Sequence, residues 1–139
     1  MRAGTKWWSA VAVFAAAFLL LSLQEGVYEF SVSLMPGRWH VFPRKVMATI
    51  AFALIAYCVE RAAESSGRRR DWLLPVLAGT VFSGIVEVAQ HYYEYFIGTP
   101  LEPLRSSVID VATGTIGGAI AVWALARGWA GARRVSRRR

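Results

Sequence analysis

Two carboxylates interrupt stretches that are otherwise apolar. Glu87 lies in the run that starts at Trp72 and continues toward Ile97, and Asp110 lies in the run from Val108 to Ala126. An ionisable side chain in such a run is expensive to bury and marks a functional position by default. A carboxyl group there can move a proton, so Glu87 and Asp110 are candidate catalytic residues. Each also has a structural reading. Glu87 can tie helices together as a polar contact. Asp110 can close a capping box with Ser107 at a helix start, where the helix dipole favours a negative charge.

Five further side chains gather around these two in sequence. Gln90 is one turn beyond Glu87, and His91 is four residues beyond it, on the face that also holds Gly79 and Ser83. Arg105 stands in the polar segment before Asp110, and a guanidinium is well suited to bidentate recognition of phosphate or carboxylate. Its alternative is a salt bridge to Glu87, Glu102 or Asp110. Arg44 and Lys45 open the second apolar run, where they can bind an anion or simply snorkel to a membrane boundary. Gln90, Arg105, Arg44, Lys45 and His91 are therefore candidate ligand-binding residues. Glu87, His91 and Asp110 lack a recognisable metal-ligand motif, so no metal or other cofactor is assigned.

The elements that must hold these residues follow from composition. The chain has 139 residues, 55% of them apolar and only 18% charged, against roughly a quarter charged in soluble domains. Cys58 is its one cysteine, which excludes an internal disulfide framework. A soluble globular enzyme and a disordered tail are both excluded on this balance. Four apolar stretches, about 7–23, 41–59, 72–97 and 108–126, can be drawn, and a chain crossing lipid must satisfy its backbone within helices. Alternating barrel strands are excluded by the absence of period-2 polarity. The expectation is an all-α integral membrane four-helix bundle forming a single transmembrane domain over 1–139, with a basic tail over 127–139.

Charge placement orients it. Arg2, Lys6, Arg61, Arg68, Arg69, Arg70, Arg127, Arg133, Arg134, Arg137, Arg138 and Arg139 are twelve of the 16 Lys/Arg residues, and all flank one side of the bundle. By the positive-inside rule both termini are cytoplasmic, N-in/C-in. The first stretch also resembles a signal peptide, but no A-x-A-like site follows it, so it is read as a retained helix. The net charge of +7 is then a topology determinant in contact with anionic lipid, and no nucleic-acid partner is expected. Small residues recur at four-residue steps, in Gly79 and Ser83 and again in Gly114 and Gly118. They predict close packing of the third helix against the fourth.

One further pattern combines these residues. Gly84-Ile85-Val86-Glu87-Val88-Ala89-Gln90, then Arg105-Ser106 and Asp110, then Gly114 with Gly117 or Gly118, resembles the signature of the VanZ-like family. The resemblance covers the last third of the chain, and the first half matches in helix number alone. Family members carry Asp-Lys-x-x-His at the second helix, whereas here His40 precedes Arg44-Lys45, and Thr113 stands near a position often held by Asn. The resemblance implies a small multi-pass protein of the bacterial inner (plasma) membrane, linked through the family's founding member to glycopeptide (teicoplanin) antibiotic resistance. Three functions are compatible with these residues. The first is binding or modifying an extracytoplasmic cell-envelope component, such as a membrane lipid, an anionic lipid or a lipid-linked envelope precursor. The second is a membrane-embedded hydrolase or transferase using Glu87 and Asp110. The third is a non-catalytic assembly partner that forms a homo-oligomer or joins another membrane protein.

Overall fold

The computed structural model describes the backbone at residues 3–24, 30, 33, 39, 41–98 and 104–136, and side chains within the main elements at 4–24, 41–98 and 107–127. Four helices make up the fold: α1 (Ala3–Ser22), α2 (Val41–Ser65), α3 (Leu73–Ile97) and α4 (Leu104–Ser136). All four contain segments long and apolar enough to cross a membrane, which makes this a multi-pass membrane protein by length and composition. Among the described residues there is no strand.

Helices α2 and α4 outrun their apolar stretches. α2 continues past Val59 through Glu60, Arg61 and Glu64 to Ser65. α4 begins at Leu104 and continues beyond Ala126 into the basic tail as far as Ser136. Leu, Arg, Ala and Glu are good helix formers, so a helix already nucleated in the apolar run continues through such ends at little cost. The α2–α3 turn contains Gly67 at φ 87°, and α3 stops at Gly98 at φ 72°, whose N–H bonds the Glu94 carbonyl. Both positions use the left-handed conformation that favours glycine.

Contacts run in opposite sequence directions between neighbours, which defines an up-down-up-down arrangement. Gly4 abuts Ser65, and Phe18 packs edge-to-face on Phe52 at 5.1 Å, so α1 is antiparallel to α2. Gly118 lies on Pro75, while Ser107 bonds Glu87, so α4 is antiparallel to α3. Gly117 lies on Thr49 and Ala53, while Asp110 meets Lys45, so α4 runs parallel to α2. Helix α4 therefore docks on both α2 and α3.

Small residues Ala56, Ala62, Ser83, Thr113 and Ala121 share the interior with Phe52, Ile55, Val86 and Leu125, whereas Leu20, Ile50, Leu54, Leu77, Val81, Ile85 and Ile116 face outward. A soluble bundle would bury such large apolar side chains. Between helices in lipid, close backbone approach replaces the hydrophobic effect as the source of contact. A methyl group at Gly79 would collide with the Gly114 carbonyl, and one at Gly114 would collide with the Ser83 hydroxyl and the Gly79 carbonyl. The predicted α3–α4 seam is present, and Thr80 and Thr115 add a 2.9 Å hydroxyl contact across it. Gly117 extends the same device to α2, facing the Phe52 Cβ and the Thr49 carbonyl.

Candidate functional site

At one end of the bundle, four polar side chains from three helices meet in two linked pairs. Lys45 lies in the second turn of α2. Because α2 and α4 run parallel, its stem is directed across to the second turn of α4, where its Nζ forms an ion pair with Asp110 Oδ1. The two side chains are 28% and 25% exposed, so the pair is neither sealed off nor fully solvated. Thr49, one turn beyond Lys45, returns its hydroxyl to the Lys45 carbonyl at 2.7 Å.

The second pair joins α4 to α3. Ser107 Oγ donates to Glu87 Oε1. Ser107 and Asp110 are three residues apart on one helix, about 4.5 Å of rise, so the two pairs are stacked one turn from each other. Glu87 and Asp110 thus belong to one cluster. One is held by a hydroxyl and the other by an ammonium group.

This geometry revises the capping-box reading of Ser107 and Asp110. The helix starts at Leu104, so both residues lie inside it rather than at its first free N–H groups. Their side chains turn outward to α3 and α2 instead of back onto their own backbone. Tertiary partners have displaced the local cap.

The remaining candidates separate. Gln90 Nε2 donates to the Ser22 carbonyl at 3.1 Å, satisfying an end-of-helix acceptor and tying α1 to α3 at this same end. Gln90 is therefore an anchor for α1 beside the cluster. His91 is exposed on α3, beyond the packed part of the Gly79–Ser83–Glu87 face. Arg44 is half-buried next to Lys45 and is itself engaged. The Arg105 backbone forms the first turn of α4, but its side chain and the whole of His40 lie outside the described residues. Among the described residues, no three His, Cys, Asp or Glu side chains gather as a cation site.

A second polar centre lies at the opposite end, and sequence reasoning did not single it out. Glu60 is only 1% exposed. Its Oε1 accepts the Asp71 backbone N–H at 3.0 Å, closing the α2–α3 turn, while Oε2 is buried without a hydrogen-bond partner among the described residues. Nearby, Arg61 pairs with Glu64 at 2.7 Å and lies over the Trp7 ring at 5.6 Å. The available signal was periodicity: Phe52, Ala56, Glu60 and Ala63 fall at steps of four, four and three on the buried face of α2.

Chemically, the Lys45 end offers a fixed cation within reach of a carboxylate and a hydroxyl hydrogen-bonded to a second carboxylate. Such a set can take an anion in exchange for Asp110, or remove a proton from Ser107. Comparison of the chain with protein-family models, curated proteins and solved structures returns no match.

Proposed function

We propose that this chain is a VanZ-like inner-membrane protein whose Lys45 end faces the extracytoplasmic side and binds the anionic headgroup of a lipid-linked cell-envelope component. The observation that carries this reading is the Lys45–Asp110 ion pair beside the Glu87–Ser107 hydrogen bond. A cation in the outer part of a membrane span, held by a partly exposed carboxylate, is poised to exchange that partner for a phosphate. The N-in/C-in orientation rests on the concentration of arginine at the opposite end. Arg44 and Arg105 neighbour Lys45 and Ser107 in sequence and would add positive charge for a headgroup. Glycopeptide resistance is the phenotype the family resemblance would suggest for such binding.

The test uses purified full-length protein in nanodiscs, titrated with a polyprenyl phosphate and with the corresponding neutral polyprenol. Phosphate-dependent binding is expected. Equal binding of the two lipids would contradict the reading.

A second reading is a membrane-embedded hydrolase or transferase, favoured by the Ser107–Glu87 contact alone. Glu87 would take the Ser107 proton as the hydroxyl attacks an ester or phosphoester, and would return it to the leaving group. Under this reading Ser107→Ala and Glu87→Gln each abolish turnover while leaving binding in place. Under the binding reading Glu87→Gln is tolerated, because the amide oxygen still accepts from Ser107.

A further inference from the structure

The outward face of α4 carries a shallow, open apolar groove lined by Ile116, Ala119, Ile120 and Trp123. Ala119 is the one small side chain among these four. At its basic end the Arg127 guanidinium lies over the Trp123 ring, 3.9 Å from the centroid. Among the described residues no carboxylate pairs with Arg127. The sequence beyond it adds Arg133, Arg134, Arg137, Arg138 and Arg139. From Ile116 to Arg127 the helix rises about 16 Å, half the thickness of a hydrocarbon core of about 30 Å.

We propose that this groove binds one anionic phospholipid of the leaflet next to the basic tail, its acyl chain against Ile116, Ala119 and Ile120 and its phosphate on Arg127. Stacking on Trp123 engages the face of the guanidinium and leaves its N–H donors in the plane of the group, directed at an approaching phosphate. Trp at a membrane boundary and Arg reaching toward headgroups are both favoured at that depth. Charge complementarity selects the ligand. Phosphatidylglycerol brings a net negative charge to Arg127, whereas phosphatidylcholine brings the same tails with a choline cation beside it. The site lies at the opposite end of the bundle from Lys45 and uses none of its residues.

Native mass spectrometry of the full chain, titrated with phosphatidylglycerol or phosphatidylcholine, tests the proposal. The first phosphatidylglycerol is expected to bind about fivefold more tightly than phosphatidylcholine, the value of one Arg at an anionic surface. Arg127→Gln should remove that preference, and Ala119→Trp should remove the tight site by filling the groove. Arg127→Lys should retain part of the preference, since it keeps the charge and loses the planar stack. Ala119 and Arg127 are both exposed, so neither change threatens the core. Equal binding of the two lipids by the unaltered protein, or an unchanged preference in Arg127→Gln, would overturn the proposal. So would a change of oligomeric state in Ala119→Trp with lipid binding intact, because the face would then be a protein interface. Loss of polyprenyl phosphate binding in a Lys45 variant would leave this result untouched.

Discussion

Lys45 and Asp110, 65 positions apart in sequence, close an ion pair between parallel helices at one end of the bundle. Removing either partner leaves a charge in a partly desolvated setting, which costs more than removing both. Lys45→Met and Asp110→Leu should each lower stability, and the double variant should recover part of the loss. A double-mutant cycle on chemical unfolding in detergent should give a coupling of about 1–3 kcal/mol. Strict additivity would mean that the pair contributes nothing to the fold.

The α3–α4 seam makes a sharper demand. Gly114 meets Ser83 and Gly79 so closely that one methyl group requires the helices to part. Gly114→Ala should therefore lower the melting temperature, at a cost of about 1–3 kcal/mol for overpacking, and Gly114→Leu should prevent accumulation of folded protein. Ile116→Ala, two residues on and on the outward face, is the control and should leave stability unchanged. Normal folding of Gly114→Leu would mean that α3 and α4 do not meet there.

Glu60 separates charge from hydrogen bonding. Its Oε1 accepts the Asp71 N–H while its other oxygen is buried without a partner among the described residues. Glu60→Gln keeps the acceptor and removes the charge, so it should match or exceed the parent protein in thermal stability. Glu60→Leu leaves the Asp71 N–H unsatisfied and should cost about 1–3 kcal/mol. Equal losses in the two variants would show that the negative charge, rather than the hydrogen bond, holds the turn.

Orientation is open to labelling in intact cells. In a Cys58→Ala background, a cysteine at position 100 should react with a membrane-impermeant maleimide, and one at position 136 should react only after the membrane is opened. The reverse pattern would place the Lys45 cluster on the cytoplasmic side.

Much of this arrangement could be read from residue type and spacing. The apolar runs located four helices because lipid leaves the backbone no other solution. Gly79, Ser83, Gly114 and Gly118 identified a seam because small side chains at four-residue steps have one common use in a membrane. Asp110 was less legible. Ser107-x-x-Asp110 matches a local capping pattern, and only the register of α4 against α2 and α3 reveals that both side chains point away from their own backbone. Which carboxylate Lys45 meets was not legible, because a contact across 65 residues depends on the parallel placement of α2 and α4. Gln90, grouped with Glu87 by spacing, instead serves the end of α1, a helix whose docking position no local pattern specifies. Glu60 was overlooked because it sits where an apolar run gives way to charged sequence, a place where carboxylates ordinarily face solvent.

In the proposed function Asp110 holds Lys45 until an anionic headgroup takes its place. This exchange is tested most directly by the affinity of polyprenyl phosphate for Asp110→Asn and Lys45→Gln side by side in nanodiscs. Removing the competing carboxylate should preserve or tighten binding, and removing the cation should weaken it about tenfold, as expected for a charge-assisted hydrogen bond. Equal weakening in both variants, or unchanged binding in Lys45→Gln, would contradict the account.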